Sequence, residues 1–377
     1  MGKEILVVID VQNCFVPAYP GWSGGSLATS GEAPDVMAAK INTLIKSGKY
    51  AEVYFSQDMH HPQNVSMMNM HNLNALRQSG DVFTGPAGLP AYKTFYKLKN
   101  MREGENVAQY RRWISQDSLV NQNLWPRHCV IPKDDPFYPA DAQNTRVNKS
   151  NPSLFNNPGK VNGADLVGVL NNYKNGRPDN VSADIYHVYK GFSPDRDSYS
   201  AVADAYGNFD PFIAKVNGIK EPNQDNKFAN MLLGRKDISD IHICGIARDF
   251  CVYWTAMDLI DLILFGQKEQ MDPKPKIHYL WDLTRPVVTP PAPPQFIMTK
   301  KSLATAANTF LKKVINKQIT RRNPEDLFII EDVNASYDQA DVVPASPSAN
   351  TSSRSRKSRR ITRTLKRKSR KNSLSRR

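Results

Sequence analysis

Glu4-Ile5-Leu6-Val7-Val8-Ile9-Asp10 runs through five aliphatic residues and stops at a carboxylate. Short, apolar, β-branched runs of this kind read as strands, and the same signature returns at Glu52–Ser56, Asp184–Tyr189, Ile241–Cys244 and Ile277–Trp281, each followed at once by polar or glycine residues. Between them, Ala33–Lys46, Asp249–Phe265 and Ser302–Ile315 place apolar residues at helical spacing. Strands alternating with helices predict an α/β fold, a doubly wound and mainly parallel sheet flanked by helices. In such sheets ligands bind beyond the carboxyl ends of the strands, which directs attention to Asp10, Asp58, Lys190 and Gly245.

Outward from these elements, the globular body is expected to end near Lys317, with insertions rich in Asn, Gly and Pro at about 67–124 and 141–183. A linker is expected over 318–345. From Ser346 the chain is Ser-, Arg- and Lys-rich and poor in apolar residues, so a disordered tail is expected over 346–377. Of the fifty basic residues, thirteen lie in Arg354–Arg377 without one acid, leaving thirty-seven against thirty-six acids elsewhere. The net charge of +14 is therefore local to the tail. That tail lacks interleaved aromatics, so its contact with nucleic acid or another acidic partner would be phosphate-directed and non-specific. Four cysteines, Cys14, Cys129, Cys244 and Cys251, are too few for a disulfide scaffold and point to a reducing compartment. No leader is visible, and no apolar run reaches the ~20 residues of a membrane span. The expectation is an intracellular, cytoplasmic protein, with the nucleus reachable through the basic tail.

Cys251 follows a strand end and a glycine turn and stands where a helix begins, so unpaired backbone N–H groups and the helix dipole are expected to favour its thiolate. A cysteine at a helix start is, taken alone, more often a buried structural residue on the inner face of the helix. Asp10 is positioned to accept a thiol proton, and Lys190, after another strand, to hold both partners in their charged forms. Asp58-Met59-His60 follows the second strand, and His128 lies in the loop Trp125-Pro126-Arg127-His128-Cys129. Asp and His are suitable ligands for a divalent ion.

These segments resemble the cysteine hydrolases that include nicotinamidases and isochorismatases. The likeness lies in Val8–Phe15, Asp58-Met59-His60, Trp125–Val130, Lys190-Gly191 with Asp197–Ala201, and Gly245–Val252, in that order, and spans about residues 3–316 apart from the two insertions. It implies an isochorismatase-like fold and a catalytic set of Asp10, Lys190 and Cys251. It also implies one metal ion on Asp58, His60 and His128, with zinc expected and manganese, iron or magnesium as alternatives. Phe15 and Trp125 would stack on the substrate ring, Tyr199 would lie in the substrate region, and a cis Ile246–Ala247 peptide would shape the oxyanion hole. The implied reaction is hydrolysis of a small-molecule amide, nicotinamide, to nicotinate and ammonia in NAD salvage. A metal-free isochorismatase-like or other amide hydrolase is the nearest alternative, and an inactive scaffold serving the basic tail is a second. Asn64 stands where many nicotinamidases carry a further histidine, which leaves that place open to water.

Deleting Ser346–Arg377 is expected to leave amidase kinetics unchanged and to weaken retention on heparin or DNA. Retention by the full chain should fall steeply with added salt, because each neutralised phosphate releases a counterion. Salt-gradient elution of the two proteins measures this.

Overall fold

The computed structural model describes residues 2–62, 64, 66–67, 125–140, 162–194, 196–205, 207–233, 235–265, 275–287, 297–315 and 327–333, and the backbone of three further strands. In chain order the strands are β1 (Lys3–Ile9), β2 (Glu52–Asp58), β3 (Val82–Thr84), β4 (Pro90–Thr94), β5 (Val120–Asn123), β6 (Asp184–Lys190), β7 (Phe212–Val216), β8 (Ile219–Lys220), β9 (Ile238–Ile246), β10 (Lys276–Arg285) and β11 (Phe328–Glu331). Helices are α1 (Pro34–Lys46), α2 (Phe228–Leu232), α3 (Cys251–Phe265) and α4 (Lys300–Ile315). Eight strands form one sheet in the order β11-β10-β9-β1-β2-β6-β7-β8, and β3, β4 and β5 form a separate antiparallel sheet. From β11 to β6 every pairing is parallel, while β7 and β8 add an antiparallel edge.

The chain leaves β1 to one side for β2 and β6, then returns to the other side for β9, β10 and β11. This reversal puts the topological switch point between β1 and β9, where a crevice opens past the carboxyl ends. β1 is the central strand, and Ile5, Leu6, Val7, Val8 and Ile9 are all buried on its two faces. Its continuous aliphatic run is thereby explained: a parallel strand covered on both sides has no solvent face to fill with polar residues. Val252, Ala256, Leu259, Ile260 and Ile263 of α3 are buried in the same core.

The expected doubly wound, mainly parallel sheet is the fold observed, and all five expected strands and three expected helices are present within a few residues of their bounds. Two boundaries need correction. Residues 162–183, read as part of an insertion, belong to the core: Ala164, Leu166, Val167, Leu170 and Tyr173 are buried, the Val167 N–H donates to Val11 O at 2.9 Å, and the Tyr173 hydroxyl donates to Asn42 Oδ1 at 2.7 Å. Within 318–345, read as a linker, Phe328–Glu331 pairs in parallel with β10 and completes the sheet edge. The expected tail over 346–377 and most of the first insertion lie outside the described residues.

Gly245 pairs with Ile9 across the switch point and has φ +122°, and a Cβ there would lie 2.0 Å from the Ile9 carbonyl oxygen. Neither the conformation nor the space admits a side chain. Gly245→Ala is expected to cost more than ~2 kcal/mol, seen as a lowered thermal midpoint or as insoluble protein.

Candidate active site

Asp10, the first residue past β1, takes a left-handed conformation (φ +48°), and its N–H donates to Ser56 O at 3.0 Å. This turn directs the carboxylate into the crevice, where the Ser56 hydroxyl donates to Oδ1 at 2.7 Å and the Lys190 ammonium lies 2.9 Å from Oδ2. Lys190 ends β6 and is buried, a position that a long flexible cation occupies only when its charge is matched. It is matched by Asp10, by Asp58 Oδ1 and by the Ser198 carbonyl at 2.9 Å. The same ammonium is 3.6 Å from Cys251 Sγ, and Cys251 is the first residue of α3. Acid, cation and thiol thus meet at the switch point, as their positions after separate strands predict.

Opposing influences act on the thiol. Burial pushes the Cys251 thiol well up; Lys190 pulls it back, but Asp10 and Asp58 push it further. Burial and the two carboxylates thus oppose the charge on sulfur that Lys190 and the helix N-terminus favour. Asp10 is itself pushed up by burial, to about 6, with Lys190 opposing.

Asp58, His60 and His128 form a second buried cluster, their donor atoms all within 4.8 Å of one another. His60 Nε2 is 3.2 Å from His128 Nε2 and 3.5 Å from Asp58 Oδ2, and His128 Nε2 is 3.9 Å from that oxygen. Each ring commits its other nitrogen to a backbone carbonyl, His60 Nδ1 to Gly191 O at 3.1 Å and His128 Nδ1 to Pro126 O at 2.7 Å. With the protons on Nδ1, two bare Nε2 lone pairs and a carboxylate oxygen converge on one point, which is the donor set of a divalent cation. These residues fit the metal that the sequence resemblance implies. Asp58 is held below the usual carboxylate range: burial works against its charge, but the Lys190 ammonium, foremost among its neighbours, favours it.

Asn64 is not a fourth ligand. Its buried amide nitrogen donates to Gly191 O, Ser193 O and Arg196 O at 3.1, 2.8 and 3.0 Å and so pins the loop that follows Lys190. Gly191 has φ +64°, and a Cβ there would lie 2.6 Å from the His60 ring. Phe15 packs on His128 with ring centroids 5.5 Å apart. Trp125 is buried, its indole N–H donating to the Tyr199 hydroxyl at 3.0 Å, and it meets Phe250 edge-on at 5.1 Å. Ile246 and Ala247 follow β9 directly, and the peptide between them is cis.

Sequence reading missed several supporting residues. Gln12 donates to Asp58 O at 2.9 Å and accepts from Asp58 N–H at 2.8 Å, clamping the ends of β1 and β2 together. Ser56 and Ser198 hold Asp10 and Lys190, and Phe250 completes the aromatic wall. The one available signal is the place of Gln12, two residues past Asp10 at the carboxyl end of a strand. Cys14 and Cys129 are joined by a disulfide with Cα atoms 5.5 Å apart, a pairing the sequence reading did not foresee. The bond ties the segment after Asp10 to the loop bearing His128.

A thiol, a lysine and a carboxylate at the switch point of a parallel sheet, with an Asp/His/His set alongside, is the arrangement implied by the resemblance to nicotinamidase-type cysteine hydrolases. The chain is similar to a nicotinamidase of Acinetobacter baylyi, 25% identical over 253 residues that cover 67% of this chain and 72% of that one. Among solved structures it is similar to the yeast nicotinamidase bound to the inhibitor nicotinaldehyde (18% identity, TM-score 0.44, 87% of this chain and 100% of that one). It is also similar to a Pyrococcus horikoshii pyrazinamidase in complex with zinc (17% identity, TM-score 0.38, 88% and 99%). No family model matches the chain.

His60→Ala and His128→Ala are each expected to bind one equivalent of divalent ion fewer than the unaltered protein, measured by equilibrium dialysis and elemental analysis.

Proposed function

We propose that this chain is a nicotinamidase that hydrolyses nicotinamide to nicotinate and ammonia, a step of NAD salvage, with Cys251 as nucleophile. The observation that carries the proposal is the single buried ammonium of Lys190 in reach of Asp10, Asp58 and the Cys251 sulfur. Little but covalent chemistry needs a thiol, an acid and a lysine closed off together at the ligand end of a sheet. The likeness to a nicotinamidase supports the substrate.

In the proposed reaction Asp10 takes the proton from Cys251 Sγ as sulfur attacks the carboxamide carbon and the C–S bond forms. Backbone N–H groups near Ala247 and Cys251 stabilise the tetrahedral oxyanion, a contribution of ~10²–10³ in rate per donor. Asp10 returns its proton to the departing nitrogen, the C–N bond breaks and ammonia leaves. Water then adds to the thioester, Asp10 accepts its proton, the C–S bond breaks, and nicotinate forms as the thiol recovers the proton. Throughout, Lys190 holds Asp10 in place and offsets the negative charge of the thiolate as it forms. Phe15 and Trp125 flank the ring and limit its orientation. A divalent ion on Asp58, His60 and His128 would supply a Lewis-acidic anchor for a ring nitrogen. The proposed setting is intracellular, and Cys14 and Cys129, each only 3% exposed, are shielded from bulk thiols.

Cys251→Ala is expected to lower kcat for ammonia release from nicotinamide by at least ~10³-fold with the thermal midpoint little changed, and Asp10→Asn by nearly as much, since an amide cannot accept the thiol proton. Near-normal turnover in Cys251→Ala would remove the covalent mechanism. Activity indifferent to a chelator, in protein shown to be free of metal, would transfer the chain to the metal-free amide hydrolases.

A further inference from the structure

At the other end of the same strands lies a group of ionisable residues that the proposed reaction does not use. His242 of β9 and His278 of β10 stand directly opposite each other in the sheet register, their rings stacked with centroids 4.3 Å apart and 10° between planes. His242 Nε2 is 3.0 Å from Glu4 Oε2 of β1, and His278 Nε2 is 2.9 Å from Asp240 Oδ1 of β9. The remaining ring nitrogens face one carboxylate on the edge strand β11: Glu331 Oε1 is 3.1 Å from His278 Nδ1 and 3.8 Å from His242 Nδ1.

All four imidazole nitrogens therefore look at carboxylates. A neutral imidazole has one N–H to give, and when Nε2–H serves Glu4 or Asp240 the Nδ1 of each ring is a bare lone pair pointed at Glu331. Lone pair against carboxylate is repulsive. The mismatch is sharpest at His242, which is 2% exposed and whose Nδ1 has no hydrogen-bond partner among the described residues. Protonating both rings would remove the mismatch only by stacking two cations 4.3 Å apart, one of them buried.

We propose that His242, His278 and Glu331 form a second cation site, for a divalent transition-metal ion with nitrogen and oxygen preference such as zinc. The three donor atoms already lie within 4.8 Å of one another. At bond lengths of ~2.0–2.2 Å, ligands around zinc sit ~3.0–3.6 Å apart, so the observed 3.1 and 3.8 Å need only small side-chain movements and a tilt of the two rings out of their stack. Glu4 and Asp240 are the carboxylates that ligating histidines use to fix the tautomer through the far nitrogen. The Glu331 side chain is 40% exposed, which gives an ion and its remaining water ligands access from solvent. Bound there, the ion would fasten the four-residue edge strand β11 to β10 and β9. Its role would be structural, since Glu4 and Asp10 are separated by nearly the length of β1, ~20 Å.

The test uses the full chain, stripped with a chelator and dialysed against zinc. The unaltered protein is expected to bind two equivalents, and Glu331→Gln, an isosteric change at a half-exposed position, should bind the second at least ~10-fold more weakly. The His60→Ala/His128→Ala double variant should retain one equivalent, and zinc should raise its thermal midpoint, an effect lost when Glu331→Gln is added. If the double variant does not fold, the comparison of unaltered protein with Glu331→Gln and His278→Asn carries the test alone. Binding of a single equivalent that Glu331→Gln leaves untouched would overturn the proposal while leaving the catalytic set intact. A thermal midpoint of the double variant that follows pH near neutrality and ignores zinc would also overturn it, in favour of a shared proton.

Discussion

The Lys190 ammonium, closed off from solvent, is the charge around which the ligand end of the sheet is organised. An unmatched buried ammonium would cost several kcal/mol; Asp10 and Asp58 are the carboxylates in ion-pair contact with it, so the ends of β1, β2 and β6 are held in one relation by this cation. A third negative charge on Cys251 is resisted, and its thiol is pushed well up.

Asp58 joins this group to the neighbouring histidines by dividing its carboxylate. Oδ1 meets Lys190, while Oδ2 faces His60 at 3.5 Å. The division requires the backbone to be fixed, and Gln12 fixes it with a hydrogen bond to each side of the Asp58 peptide. Gly191 lets the His60 ring lie against the loop after Lys190, and Asn64 holds that loop through three carbonyls. The two clusters are one construction, and a change at Asp58 would disturb both.

The strand ends were legible because short apolar, β-branched or aromatic runs give way to polar residues at or just before Asp10, Asp58 and Lys190, and in a doubly wound sheet those boundaries converge. What could not be read is long-range in sequence. Ser56 meets Asp10 and Gln12 meets Asp58 across 46 residues, and Cys14 meets Cys129 across 115, with no local pattern to announce either contact. β11 is four residues long and depends on its pairing with β10, so its sequence shows too little periodicity to be called a strand. At Cys251 opposing influences meet that no local pattern weighs against each other: a helix terminus and Lys190 favour its charge, and burial beside Asp10 and Asp58 opposes it.

Two histidine pairs sit at opposite ends of this sheet, and their orienting partners differ in a way that bears on what each would do. His60 and His128 give their far nitrogens to the neutral carbonyls of Gly191 and Pro126. His242 and His278 give theirs to the carboxylates Glu4 and Asp240. A carboxylate behind an imidazole makes it a stronger donor and quenches the Lewis acidity of whatever it binds, whereas a carbonyl orients the ring and leaves that acidity in place. Asp58, the one anionic ligand of the first set, also shares its charge with Lys190. An ion there would remain electrophilic enough to anchor a ring nitrogen, while an ion in the proposed second site, facing Glu331 and backed by two further carboxylates, would be neutralised and suited to holding strands together.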